Sequence, residues 1–458
     1  MEKKRKLGVE SDRKNVSSEK RKAYVKKLSQ MINCRTVFHA DGRFQKEYEK
    51  LYRIIEESFP LLTEKAERLT FGSGCFVYII RGKSAERSIM LMSHHDVVDG
   101  SDKWKTDPFC AEEKDGYLYG RGTIDTKTPL FAELQAAEEL LEEGYDFHGI
   151  DLYIGSSDNE ETGGDGMVLA AQYFKEHGIF FDTVLDEGGA ILSGQIPGVT
   201  AKSAMIAVHE KGRHMYKCTA GLDENGHSGF GKSGDTPVMR MSKFITEVSN
   251  AHIYKEKFYP EVAETFKVHV PYMRFPMNLL FGNLRLFSPV IKKVMAGIPP
   301  AAAMLATSIS FQSIIGVDEE DPQARAKNVE SYMFMRCIRE EELYAGLKKI
   351  RKIAEKYDIT LTEELRDYCK PTSYEKRPFH ILEEVLHENF PDVITAPFLL
   401  TAGTDARRLK DAADNILRFA PIDLTPEQFA TVHSEDERIS IRNIGECVCF
   451  YKKFIQKI

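Results

Sequence analysis

The chain has 458 residues, with 63 Lys and Arg against 70 Asp and Glu, a formal net charge of −7. That balance gives no overall attraction to nucleic acid or to an anionic membrane. With 42% hydrophobic and 29% charged residues it reads as a globular protein long enough for two domains.

No run approaches the roughly 18 apolar residues of a spanning helix. The basic lead "MEKKRKLGVESDRKNVSSEKRKAYVKK" has no apolar segment behind it and does not read as a signal peptide. The eight cysteines are scattered without a CxxC pair, and Cys447 and Cys449 in "ECVCFYKKFI" read as packing residues. Free thiols and a cytoplasmic setting are expected.

In chain order, "ADGRFQKEYEKLYRIIEESFP" has helical spacing before Pro60, and "CFVYIIRG" and "SIMLMSHHDVV" follow as strands. The helix "LFAELQAAEELLEEGYD" closes at Gly144. Strand "GIDLYIGSSD", helix "MVLAAQYFKEHG" and strand "FFDTVLDEGG" continue an α/β alternation. After about residue 205 the pattern becomes that of an inserted α+β unit: "KGRHMYKCTAG", the helix from Pro237, an irregular proline-rich tract at 259–300, "ATSISFQSIIG", "NVESYMFMRCI" and "EELYAGLKKIRKIAEKY". From about 370 the first style returns. The expected organisation is an α/β catalytic domain from 1–204 and 370–458, with helices around a mostly parallel mixed sheet, and an inserted α+β lid from 205–369. "GHSGFGKS", Gly226 to Ser233, formally matches a phosphate loop. Pro237 follows too closely for that reading, which instead makes Asp235 or Thr236 a helix N-cap and Pro237 the N1 residue.

The chemistry-bearing residues gather around "SHHDVV". Residues two apart on a strand share a face, so His94 and Asp96 point one way and His95 points into the packing behind. Asp96 can accept from the far nitrogen of His94 and fix its tautomer. Asp125 lies in a glycine-flanked turn before a helix, where it could equally be a plain cap. Glu160 and Glu161 are adjacent after a strand and cannot share one direction. Asp186 and Glu187 end another strand, and His433 sits in a presumed loop. Two imidazoles and three carboxylates, one bridging, can hold two divalent ions about 3.5–4 Å apart.

These segments resemble the M20 metallopeptidase family, in the branch of carboxypeptidase S and the N-acyl-amino-acid hydrolases. "HHDVVDG", "WKTDPF", "DGYLYGRGTIDTK", "AELQAAEELLEEG", "EETGGDG" and "FFDTVLDEGG" occur in family order. The resemblance implies hydrolysis of an amide or peptide bond in a small substrate, such as an N-acyl amino acid or short peptide. Water would be activated between two divalent ions, zinc first, with cobalt or manganese able to replace it.

The same resemblance implies His94 and Asp186 on one ion, Glu161 and His433 on the other, and Asp125 bridging. It implies Glu160 as general base, Asp96 as the partner of His94, and His227 as oxyanion stabiliser, often across a dimer. Asn328, Arg336, Gly403, Thr404 and Arg407 match substrate-contacting positions. A homodimer through the lid is expected, and neither nucleic acid nor membrane as partner. Asn159 and Ala402 depart from the family pattern, where Asp and Gly are usual. The competing reading is a metal-bound sensor or scaffold without turnover, though such a protein would have no chemical need for Glu160.

Overall fold

The protein is described as a computed structural model over residues 6–221, 236–316 and 328–458. After the helices Ser18–Ile32 and Gln45–Ser58, the strands run β1 (Glu67–Phe71), β2 (Cys75–Ile80), β3 (Arg87–His94), β4 (Glu112–Lys114), β5 (Tyr117–Tyr119) and β6 (Ile150–Ser157). Next come β7 (Phe181–Asp186), β8 (Ile191–Leu192), β9 (Ser203–Glu210), β10 (Gly212–Gly221), β11 (Ser308–Ile315) and β12 (Asn328–Cys337). The last are β13 (Thr360–Asp367), β14 (Ile394–Leu400), β15 (Ala413–Arg418), β16 (Asp423–Leu424) and β17 (Arg438–Ser440).

Ten of these strands form one mixed sheet in the order β1-β2-β6-β3-β7-β15-β9-β8-β16, with β14 beside β9. The neighbours β6, β3, β7 and β15 are parallel. Their carboxyl ends, Ser157, His94, Asp186 and Arg418, therefore emerge along one edge, with His94 opposite Ser157 and Asp186 opposite Arg418. That edge is where open α/β sheets present binding residues.

The helix Lys127–Glu142 explains the depth of the core. Every residue from Lys127 to Leu141 is buried, because the helix is sandwiched between β3 and the closing helix Ile441–Lys457. Its acids have assigned partners. Glu138 accepts from the free N–H groups of Leu61 and Leu62 at 3.0 and 2.7 Å, and Glu133 accepts from Ser93 Oγ at 3.1 Å.

Only Lys211 separates β9 from β10, so the chain passes directly from the main sheet into a second, antiparallel sheet, β11-β12-β10-β13. This smaller insert is the lid. Along β10 buried and half-buried residues alternate; the buried Tyr216, Cys218 and Ala220 pack with Phe244 and Leu347 of the helices Pro237–Asn250 and Glu340–Lys356. Thr236 caps the first of these helices and Pro237 is its first residue, as the sequence suggested. The phosphate-loop match itself, Gly226 to Ser233, lies outside the described residues.

The tract at 259–300 is more ordered than its prolines imply. It contains the helices Pro260–His269, Met277–Gly282, Leu284–Ala296 and Pro299–Ala303, two of them with proline in the first turn, where no N–H is needed. Its core residues Val262, Phe266, Phe281, Ile291 and Met295 pack with Met205, Ile394 and Ala396 of β9 and β14. This stretch leaves the lid sheet and returns to the main one.

Leu134 is fully buried in the main cluster, so Leu134→Ala should cost about 2–5 kcal/mol. The expected result is a lower urea midpoint at unchanged slope.

Candidate metal centre

Asp125 is the meeting point of the site. One of its carboxylate oxygens is 3.0 Å from His94 Nε2, and the other is 2.9 Å from His433 Nε2. His433 Nε2 is also 3.1 Å from Glu161 Oε2. Single donor atoms of His94, Asp125 and Glu161 lie within 4.8 Å of one another. The structure thus brings His94, Asp125, Glu161 and His433 together from four separate stretches of chain.

Asp125 is held by residues that the sequence reading did not single out. The buried carboxylate of Glu437 accepts from Ile124 N at 2.7 Å, Gly122 N at 3.1 Å and Asp125 N at 3.2 Å, and pairs with Arg121 at 2.8 Å. Glu437 stands four residues after His433, and the adjoining β17 pairs with β5 just before the Asp125 turn. One short segment therefore supplies an imidazole and clamps the carboxylate facing it. The Asp125–Thr126 peptide is cis.

The two adjacent histidines separate as strand alternation requires. His95 is buried between Phe76, on which it stacks, Ser156 and Tyr52. Burial, reinforced by the charges of Lys127 and His94, pushes its pKa well down, so it is a neutral packing residue. His94 Nδ1 lies 3.0 Å from the Asp96 backbone carbonyl and 3.4 Å from the Asp96 carboxylate. The Asp96 carboxylate is better placed on the backbone N–H groups of Glu160 and Glu161, at 3.1 and 3.0 Å. Asp96 therefore steadies the histidine and the glutamate pair at once.

Glu160 is carried on the turn after β6, and burial raises its pKa to about 8, with Asp405, Asp96 and Asp125 adding to the effect and His94 opposing it. Asp186 and Glu187 diverge. Both Asp186 oxygens accept backbone N–H groups, from Glu187 at 2.9 Å and Ala406 at 2.8 Å, and burial with nearby Asp405 lifts its pKa to about 6. Glu187 instead feels the charges of Asp125, Asp186, His94 and Glu160; burial first, then the carboxylates, push its pKa well up.

The substrate-side positions also divide. Thr404 is buried, donating its N–H to Glu210 at 3.0 Å. Arg407 is spent on Asp367 at 2.7 Å and on the Thr404 carbonyl. A Cβ built on Gly403 would come within 2.9 Å of Arg407 Nη1 and 3.8 Å of Arg336 Nη1, so this glycine leaves room for two guanidinium groups. Arg336 Nη1 is buried and has no hydrogen-bond partner among the described residues. It faces Arg213 across β10 and β12, a residue with no sequence signal beyond its alternation on a strand. Burial first, then repulsion from Arg407 and Arg408 at Arg213 and from Arg213 and Arg407 at Arg336, lowers the pKa of both arginines. Asn328 begins β12 opposite Gly221, at the far tip of the lid; eight residues of strand, roughly 26 Å, separate it from Arg336. Gly226 and His227 lie outside the described residues.

Residues 90–457 match peptidase family M20/M25/M40. The chain belongs to that family. The N-fatty-acyl-amino acid synthase/hydrolase of Danio rerio is 31% identical over 384 residues, covering 80% of this chain and 72% of that protein. A probable carboxypeptidase S-like protein of Dictyostelium discoideum is 25% identical over 425 residues, covering 90% and 80%. Among solved structures, the M20 metallo-carboxypeptidase Sso-CP2 of Sulfolobus solfataricus aligns with TM-score 0.65 at 15% identity, over 95% of this chain and 98% of that one, which speaks to the fold. This M20 protein is an enzyme, a metal-dependent hydrolase of amide or peptide bonds with a dinuclear site. No helix among the described residues is long and apolar enough to cross a membrane.

The donors fit divalent cations. Asp125 presents one oxygen to each imidazole, and Glu161 Oε1 is buried without a hydrogen-bond partner among the described residues. Mixed nitrogen and oxygen donors suit zinc and also cobalt or manganese.

The metal-free site carries its protons on the imidazoles. Asp125 and Glu161 raise the His433 pKa to about 10, and the hydrogen bonds of Asp125 and Asp96 outweigh burial to raise that of His94. A metal ion needs a neutral ring, so binding at neutral pH should release about one to two protons. Calorimetry in buffers of different ionisation enthalpy should record that release, with apparent affinity increasing from pH 6 to about 10 as His433 deprotonates.

Proposed function

We propose that the enzyme hydrolyses N-acyl amino acids, with short peptides bearing a free α-carboxylate as related substrates. The observation that carries this reading is Arg336, a half-buried guanidinium whose Nη1 is buried without a hydrogen-bond partner among the described residues, beside Gly403 and opposite Arg213. Two adjacent guanidinium groups that form no ion pair among the described residues ask for an anion, and a guanidinium fork matches a carboxylate. The names of the relatives, hydrolases of fatty-acyl amino acids and carboxypeptidases, agree with that chemistry.

In this reading His94, Asp125, Glu161 and His433 would hold the divalent ions, Asp125 offering one oxygen on the side of each histidine. The fifth donor is expected at Asp186, whose two oxygens each accept one backbone N–H and keep a lone pair for an ion; the neighbouring Glu187 carboxyl interacts with Asp125 and His94. When bound, the ions polarise the amide carbonyl and acidify the attacking water. Glu160 takes the proton from that water and returns it to the leaving amine, so an amide and water become a carboxylic acid and an amino acid. Its pKa near 8 without metal would be drawn toward neutrality by added cations, into the range useful for transferring a proton in both directions. Asp96 keeps Glu160 and Glu161 apart by binding their N–H groups. Arg336 and Arg213 orient the substrate carboxylate, and His227 is assigned to the developing oxyanion.

Asn328 is matched to substrate, yet it sits at the lid tip remote from Arg336. That supports a homodimer in which one lid tip serves the partner's site. Coexpressing Glu160→Gln with His227→Ala chains, each expected to be inactive alone, should recover activity in mixed dimers, where one site has both groups. No recovery would contradict action across the dimer.

Two substitutions separate the remaining roles. Glu160→Gln should lower turnover at least ~10²-fold at unchanged metal content. Arg336→Ala should raise KM for an acyl amino acid about tenfold while sparing the matching amino-acid amide, which lacks the carboxylate. Equal effects on both substrates would remove the carboxylate assignment.

A further inference from the structure

The helical tract packed on β14 turns an unusual face outward. In the helix Leu284–Ala296, Phe287, Ile291 and Met295 face the core. Leu286, Val290 and Val294 repeat every four residues and form a second stripe on the same helix. Leu286 is 73% exposed, Val290 59% and Val294 62%. The preceding turn adds Phe275, 80% exposed, with Leu279, and the next turn adds Ile298. The short helices on either side pack against this one. Single exposed apolar residues need no explanation, but a stripe with neighbours does.

The charge of the tract is equally distinctive. From Thr265 to Val317 there is no Asp or Glu, although the whole chain has 70 of them. The same stretch contains Lys267, Arg274, Arg285, Lys292 and Lys293. Lys267 pairs with Glu264. Among the described residues, no ion pair engages Arg274, Arg285, Lys292 or Lys293. Arg274, Arg285 and Lys293 are exposed and Lys292 is half-buried.

We propose that this face docks on an anionic phospholipid surface, with the stripe entering the headgroup boundary and the cations meeting lipid phosphates and carboxylates. An apolar stripe flanked by basic residues is the composition of a helix lying in a membrane interface. A second copy of the chain is the weaker occupant. A two-fold contact through this face would bring the same cations of this tract together with no carboxylate of the tract between them. The net charge of −7 suggested no membrane partner, but it averages over the molecule, whereas screening confines attraction to charges within about 10 Å of the lipid. This surface stands independently of the substrate assigned above.

Flotation of the metal-loaded enzyme tests it, using vesicles of phosphatidylcholine with or without phosphatidylserine. The enzyme should rise with the phosphatidylserine vesicles, rise little with phosphatidylcholine alone, and be released by high salt. Leu286→Glu/Val290→Glu and, separately, Arg285→Glu/Lys293→Glu should each weaken vesicle binding at least about tenfold. Both should keep turnover of a short, soluble acyl amino acid, which certifies folding. The charge pair, fully on the surface, serves if the first pair does not fold. Wild-type enzyme that stays below both kinds of vesicle would overturn the proposal. So would folded variants that float like wild type, or light scattering in which the same substitutions abolish a dimer while vesicle binding is absent.

Discussion

The site depends on one carboxylate held still between two imidazoles. Asp125 faces His94 from 31 residues upstream and His433 from 308 residues downstream, and a flexible turn could not keep both distances near 3 Å. Glu437 supplies the rigidity. Its buried carboxylate gathers the turn N–H groups of Gly122, Ile124 and Asp125 and the Arg121 guanidinium, the partners that a desolvated carboxylate needs. Burial still raises the pKa of Glu437 against the pull of Arg121. The metal donors are thus positioned by a group that touches none of the chemistry.

The remainder of the site is a separation of charge. The main sheet delivers carboxylates along its carboxyl edge, and the lid delivers guanidinium groups from β10 and β12. Several arginines near this boundary are neutralised in place: Arg407 and Arg408 by Asp367, and Arg418 by Glu210 at 2.8 Å. Among the described residues Arg336 and Arg213 have no such partner, and their lowered pKa values follow from partial burial beside like charges. Half-buried cations left in that state cost stability, which is a reason to look for a ligand that compensates them. Because β9 runs into β10 through a single residue, the lid's arginines are tied to the same strand whose end carries Glu210.

Local pattern reached much of this. The alternation within "SHHDVV" separates His94 from His95 before any contact is known. The glycine-flanked turn around Asp125 and the paired glutamates after β6 mark positions where a carboxylate can face an ion. The α/β alternation implies a sheet whose carboxyl edge carries the site. Other features are not legible in local pattern, for identifiable reasons. Prolines made 259–300 look irregular, although proline in a first turn is compatible with a helix. At Asp186–Glu187 both residues are acidic, and periodicity does not say which one will accept the N–H of Ala406, 220 residues away. Arg407 resembles a substrate contact by motif but is consumed by Asp367, forty residues earlier.

By itself, then, the sequence determined the kinds of group available, their alternation on strands, and the family to which their order belongs, because those follow from short-range geometry and from motifs. Only the tertiary structure decided which groups face each other. The clamp of Glu437 on the Asp125 turn, the unpaired nitrogen of Arg336, and the outward stripe of Leu286, Val290 and Val294 depend on neighbours brought in from distant parts of the chain. Hydrogen bonding and burial set those outcomes, and neither is a property of a residue until its neighbours are in place.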